Sequence, residues 1–127
     1  MPEPEVADDT TIPDDEILWR RVPPWHVTDD PKRPEGKRPA TAAFDEDDMS
    51  VSIARETSVE KILEAHEAFS LVGFPASLAR EKGLRIVRKP LAENPAHAEV
   101  IGKKTDSIRK ALSKGSEWVH LNASSLK

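Results

Sequence analysis

Hydrophobic and polar residues alternate in several short runs, which is the pattern of half-buried β-strands. The first run is 15–22 (DEILWRRV). Neither of its faces is purely apolar, so we predict an edge strand that ends at Pro23 and Pro24, because proline donates no hydrogen bond to a sheet. Further strands are predicted at 49–54 (MSVSIA), 84–88 (LRIVR), 98–102 (AEVIG) and 117–121 (EWVHL), with a short strand or buried turn at 70–74.

Helical spacing and capping residues predict three helices. Thr57 and Glu60 have the spacing of a capping box, and an apolar stripe follows them from Val59 to Phe69. Pro75 suits the start of a short helix that ends at Gly83, where glycine can adopt the left-handed cap. Thr105 precedes a third helix that Gly115 closes.

Together these elements predict an α+β domain: one small mixed sheet of four to six short strands, packed with two or three helices. We expect one domain over 15–122, preceded by a disordered acidic tail at 1–14 and followed by a frayed tail at 123–127. Residues 23–48 contain five prolines and no periodic pattern. They therefore form a proline-rich arm, and Trp25 and Phe44 indicate that parts of it dock on the domain.

The composition excludes several classes of function but does not identify one. The chain has no cysteine, which excludes disulfides, thiolate nucleophiles and zinc sites built on thiolates. No apolar run approaches the ~20 residues that span a bilayer, and the N-terminus lacks the pattern of a secretory signal. We therefore expect a cytoplasmic protein without membrane contact, cofactor or metal.

The net charge of −4 is unevenly distributed. Residues 1–16 contain seven acidic side chains and no Lys or Arg, whereas residues 49–127 contain 13 basic and 9 acidic side chains. Such a division is typical of an acidic segment that shields a basic surface or engages a basic partner, and equally of a solvated tail that keeps the protein in solution.

Two partial motifs are rejected on chemical grounds. His97 and Glu99 have the spacing found in zinc deaminases, but the two thiolates that complete such a site need cysteine. Gly102, Lys103, Lys104 and Thr105 resemble the end of a phosphate loop, yet His97 stands where the first glycine is required. A capped helix start with two lysines can still hold an anion, and the alternative is an ordinary cap with solvated lysines.

Three functional hypotheses remain open. The first is a non-enzymatic interaction module that acts through a protein partner, since aromatic residues and arginine are frequent in interface hot spots. Its candidate contact residues are Trp19, Arg20, Trp25 and His26. Self-association into a homo-oligomer is a further alternative.

The second hypothesis is a small enzyme or binding protein for a phosphate-bearing ligand of the nucleotide or ADP-ribose type. It places Arg20, His97 and Lys103 around one pocket, with His97, Arg20 and Glu99 as catalytic candidates. The third hypothesis is nucleic-acid binding through the basic stretch 80–114. Its candidate contacts, which also serve the second hypothesis, are Arg85, Arg88, Lys89, Lys103, Lys104, Thr105, Arg109 and Lys110.

Overall fold

The computed structural model describes residues 7–122 and confirms the α+β class. Eight strands are present: β1 (Ile17–Val22), β2 (Val27–Asp29), β3 (Lys37–Pro39), β4 (Asp48–Ile53), β5 (Ser70–Pro75), β6 (Arg85–Arg88), β7 (His97–Ile101) and β8 (Glu117–His120). The α-helices are α1 (Val59–Leu63), α2 (Ala76–Glu81) and α3 (Asp106–Gly115). Short 3₁₀ turns lie at Pro24–His26, Thr41–Phe44 and Ala54–Glu56. No helix of residues 7–122 is long and apolar enough to cross a membrane.

Six strands form the main sheet, in the order β6-β7-β4-β1-β5-β8, and β2 and β3 form a separate hairpin. Every pairing is antiparallel. The sheet expected to be mixed is therefore antiparallel throughout its described strands. The prediction that β1 is an edge strand is wrong, because it pairs with β4 on one side and β5 on the other. Its two arginines find hydrogen-bond partners on distant elements, so charge in this strand does not mark an edge.

The core lies on the sheet face that α2, α3 and the 41–44 turn cover. Leu18, Met49, Phe74 and Val100 point to this side and are fully buried or nearly so. The Phe44 and Phe74 rings meet edge to face with centroids 6.4 Å apart. The opposite face is covered only in part, by α1 and the chain around it, which leaves a cleft over the sheet.

Residues 7–14 lie on the domain and do not form the expected disordered tail. The Asp9 amide donates to the Ile86 carbonyl on the edge strand β6, at 2.8 Å. Asp8 pairs with Arg80 at 3.0 Å, and Ile12 is 1% exposed within the core. The acidic segment thus folds back on basic residues far along the chain. Residues 1–6 and the predicted frayed tail 123–127 lie outside the described residues.

The proline-rich arm is folded against the domain. Trp118 Nε1 of β8 donates to the Lys37 carbonyl at 2.9 Å, and the Arg33 guanidinium donates to the Ser113 carbonyl of α3 at 2.8 Å. The Ser113 hydroxyl in turn donates to the Pro39 carbonyl. These contacts join the β2–β3 hairpin to both α3 and β8.

The first helix differs from its prediction at both ends. Ser58, not Thr57, caps α1 by accepting from the Lys61 amide at 3.3 Å. The helix ends at Leu63, and turns centred on His66 replace the predicted continuation to Phe69. By contrast, Thr105 caps α3 as predicted, and Gly83 adopts a φ of +79° after α2.

Candidate functional site

The open face of the sheet carries a row of side chains on three neighbouring strands. Trp19 of β1 is in register with Ser52 of β4, and Ser52 is in register with His97 of β7. Because side chains alternate between the faces of a strand, these three lie on the same face. Arg21 and Ser50 are the next residues along that face of β1 and β4.

A cleft of about 500 Å³ opens over this row. One wall is the segment 56–66, which includes α1, and the other is the β6–β7 connection from Leu91 to His97. Arg21 and Ser50 form the floor, and beside them lies a smaller pocket of about 40 Å³ that Trp19 and Ser52 also line. The larger volume is within the range of small-molecule sites, and the smaller holds one or two waters or part of one ligand group.

Arg21 is the chemically distinctive group of the cleft floor. Its guanidinium donates to the Ile62 carbonyl at 3.1 Å, and no carboxylate of residues 7–122 forms an ion pair with it. Burial lowers the pKa of Arg21, and the charge of Arg20 lowers it further. The side chain nevertheless stays charged at neutral pH, since the pKa of arginine is ordinarily above ~12. A half-buried cation without a carboxylate partner favours an anionic ligand.

The polar residues around Arg21 are held in fixed positions. Asn94 Nδ2 donates to Ser52 Oγ at 3.0 Å, which joins the β6–β7 connection to the sheet. His97 Nδ1 lies 2.8 Å from the Lys89 carbonyl oxygen. Since a carbonyl oxygen can only accept, Nδ1 carries the hydrogen, and Nε2 of the neutral ring is an acceptor.

His66 closes the wall of the cleft next to Arg21. Burial lowers the pKa of His66, and the positive charge of Arg21 lowers it further. Its ring packs against Phe69 with centroids 5.1 Å apart. The neutral imidazole is therefore favoured beside the guanidinium, which leaves Arg21 as the principal positive charge of the floor.

The wider rim of the cleft carries both signs of charge. Lys61, Glu64 and Glu93 line it at exposed positions. Glu56 also lines it, but its carboxylate binds the Arg88 guanidinium at 2.7 Å. The attraction for an anion is therefore confined to the floor at Arg21, so the cleft suits a small anionic group more than a polyanion.

The predicted trio of Arg20, His97 and Lys103 does not form one pocket. The Arg20 side chain faces the core side, where it donates to the Ala43 and Ser50 carbonyls at 3.1 and 2.9 Å and to Glu46 at 2.6 Å. His97 lines the cleft and the small pocket, and part of Arg20 also lines the small pocket. Lys103 lies beyond the end of β7 and lines neither of them. Glu99 forms an ion pair with Lys89 at 3.0 Å.

The Gly102–Thr105 segment is a structural cap. Lys104 is 5% exposed, and its ammonium donates to the carbonyls of Val100, Gly102 and Asp47 at 2.8, 2.8 and 3.0 Å. The expectation that Lys104 contacts a ligand is therefore wrong, since its three donors are all used. The Thr105 hydroxyl accepts from the Ile108 amide.

Five of the ten basic side chains in the predicted stretch 80–114, Arg80 included, form ion pairs with carboxylates. Arg88 binds Glu56 and lies 3.9 Å from Asp9, Lys89 binds Glu99, and Arg109 and Lys110 both pair with Asp106. Arg85 has its Nε atom buried without a hydrogen-bond partner. These cations are distributed over β6 and α3, and their pairing reduces the positive field that phosphate backbones need.

The two tryptophans among the contact candidates have different surroundings. Trp25 is 74% exposed, and its ring meets those of His26 and Phe69 edge to face with centroids 6.3 and 6.1 Å apart. Trp19, predicted at an exposed edge, instead lies half-buried in the central strand, where its indole packs over Gly73.

Sequence reasoning singled out His97 and missed Arg21 as the group beside it. The sequence pattern gives no ligand-binding role to Ser52 or Asn94, and it places His66 within the apolar stripe from Val59 to Phe69. No local motif joins these residues, since they come from β1, β4, the 63–69 turns and the β6–β7 connection. Within residues 7–122 no three metal-ligating side chains are grouped to hold an ion. Comparisons of the chain with protein-family models, curated proteins and solved structures find no match.

Proposed function

We propose that the protein binds a small phosphate-bearing ligand in the cleft on the open face of its sheet. The observation that carries this proposal is Arg21, a half-buried guanidinium on the cleft floor with no carboxylate partner among residues 7–122. Of the eight other arginines in this part of the chain, seven form ion pairs with a carboxylate, and Arg85, which lies outside the cleft, is the exception. The seven are Arg20, Arg33, Arg38, Arg55, Arg80, Arg88 and Arg109.

Phosphate is an anion that suits the groups of this site. A guanidinium presents donors in a planar fork that matches two phosphate oxygens. Ser50, Ser52 and Asn94 lie around it and supply further hydroxyl and amide groups. The cleft volume of about 500 Å³ leaves room for an organic group attached to the phosphate.

The test is a titration of the full chain with inorganic phosphate and with a nucleoside monophosphate, followed by NMR chemical shifts. We expect shifts at Arg21, Ser52 and His97. The Arg21→Gln substitution should weaken binding roughly 10- to 100-fold, since hydrogen bonds to charged groups contribute about 1.5–3 kcal/mol.

Lys82→Gln is the matched control, because it removes the same charge at an exposed position outside the cleft. Its affinity for phosphate should equal that of the wild-type chain. If both variants lose the same amount of phosphate affinity, the effect comes from net charge and the assignment of the site is wrong. Chemical-shift changes confined to residues outside the cleft would also contradict it.

Trp25 favours a second candidate function, the binding of a protein partner. Its indole is exposed on a stiff turn that follows two prolines, and Phe69 and His26 support it from two sides. An exposed but braced tryptophan loses little conformational entropy on binding, which is why such residues are frequent in hot spots.

For this candidate, Trp25→Ala should abolish a partner complex seen by native mass spectrometry of the gently purified protein. The melting temperature should change little, because most of the side chain is already in water. A partner that remains bound to the variant, or a large drop in melting temperature, would contradict this second candidate.

A further inference from the structure

The cleft contains a fixed hydrogen-bond acceptor in addition to its cation. His97 lines both the main cleft and the small pocket beside Arg21. Its Nδ1 atom is committed to the Lys89 carbonyl at 2.8 Å, so Nε2 is the remaining polar atom of the ring. In the neutral ring this atom has a lone pair and no hydrogen, and it binds only groups that donate.

The position of this acceptor is set by the sheet. The Lys89 amide donates to the His97 carbonyl at 3.0 Å, so backbone and ring bonds both join the two residues. His97 is also in register with Ser52, whose hydroxyl accepts from Asn94. A ring held in this way is oriented before any ligand arrives, which is the condition for selectivity.

Arg21 and His97 make opposite demands on what they bind. The guanidinium has donors only and needs an acceptor such as a phosphate oxygen, whereas Nε2 of neutral His97 needs a donor. Both residues line one cleft, so a ligand that satisfies both carries a hydrogen-bond donor, such as a hydroxyl group, as well as the phosphate.

We infer that the cleft selects hydroxylated phosphate esters, of the polyol or sugar phosphate class, and that His97 Nε2 accepts a hydrogen bond from a ligand hydroxyl. The inference rests on the proposed function, since it assigns the class of ligand to the same site. His97 acts here as a specificity residue, and the proposal includes no covalent step.

Two ligands that differ only in hydroxyl groups test the inference: glycerol 1-phosphate and n-propyl phosphate. Calorimetric titration of the full chain at pH 8 should give tighter binding of glycerol 1-phosphate by roughly 3- to 10-fold, the contribution of one neutral hydrogen bond. In His97→Phe the two affinities should become equal.

His97→Gln keeps an acceptor oxygen near the position of Nε2, and it should restore part of the preference. His120→Phe makes the same replacement on β8, outside the cleft, and should leave the preference intact. A ¹⁵N spectrum of the wild-type ring should show the hydrogen on Nδ1.

Two results separate the inference from the proposed function. If both phosphates bind through Arg21 with equal affinity, or if the preference persists in His97→Phe, the role of His97 is overturned and the anion site stands. If neither phosphate binds the wild-type chain, the proposed function itself fails, and this inference fails with it.

Discussion

Arg20 and Arg21 are neighbours in the chain and have opposite surroundings. The strand places Arg20 on the core side, where two carbonyls and Glu46 take its donors. It places Arg21 on the open face, where the Ile62 carbonyl is its hydrogen-bond acceptor. A guanidinium whose three nitrogens all donate hydrogen bonds stabilises the fold, whereas one with a single hydrogen bond has donors available to a ligand. Because side chains alternate between the two faces of the strand, an arginine that stabilises the fold stands next to one that is available to a ligand.

Lys104 gives a prediction at the same scale. Burial lowers the pKa of its ammonium from 10.5 to about 8 in the folded chain. Between these pH values the unfolded chain holds a proton that the folded chain has released, so the free energy of unfolding rises with pH across this window. Below pH ~8 this contribution is absent, because both states are then protonated.

Urea unfolding of the wild-type chain and of Lys104→Met, from pH 7.5 to 10.5, measures this effect. The difference in unfolding free energy between the two should shift in favour of the wild-type chain as pH rises, by an amount on the order of 1 kcal/mol or more. A difference that stays constant across this range would mean that the three carbonyls hold Lys104 protonated throughout.

At the scale of elements, the N-terminal segment 7–14 acts as a cover for the edge strand β6. Asp8 and Asp14 together bind Arg80, at 3.0 and 2.7 Å. Burial lowers the pKa of Arg80, but its hydrogen bonds to Asp14 and Asp8 outweigh this effect, and the net pKa is raised. The segment also hydrogen-bonds to Ile86 and so occupies part of an edge that could otherwise pair with another chain.

Ile12 should therefore contribute to stability although it lies in an acidic, polar stretch. Its side chain is 1% exposed, so Ile12→Ala should lower the free energy of unfolding by about 2–4 kcal/mol. Ile17→Ala is the matched control, because Ile17 is 39% exposed and should lose about 1 kcal/mol. Equal losses in urea unfolding would show that residues 7–14 are not packed as described.

Sequence reasoning identified the elements whose pattern is contained in a few neighbouring residues. The alternation in β4 and the Thr105 cap of α3 depend on residues next to each other in the chain, and both were predicted. Ile12 is one apolar residue in a polar stretch, and its position depends on contacts with residues more than 70 positions away. The cleft was missed for the same reason, since only the strand order brings Arg21 and His97 together.

At the scale of the whole molecule, the arm 23–48 is connected to α3, to β8 and to the core. Trp118 Nε1 binds the Lys37 carbonyl, Arg33 binds the end of α3, and Phe44 is fully buried in the core. An arm held in this way cannot be released without exposing core surface. We therefore expect residues 7–122 to unfold as one cooperative unit, as most small domains do.

The three tryptophans report on three parts of this unit: Trp19 in the central strand, Trp25 in the arm and Trp118 in β8. Variants that keep one tryptophan each, with phenylalanine at the other two positions, isolate the signals. Within each variant, urea unfolding followed by fluorescence and by far-ultraviolet circular dichroism should give the same midpoint. A lower fluorescence midpoint in the Trp25 variant alone would mean that the arm opens before the sheet. Because this variant lacks the hydrogen bond from Trp118 to Lys37, that result would mean that the remaining contacts, those of Arg33 and Pro39 with Ser113, are too weak to couple the arm to the domain.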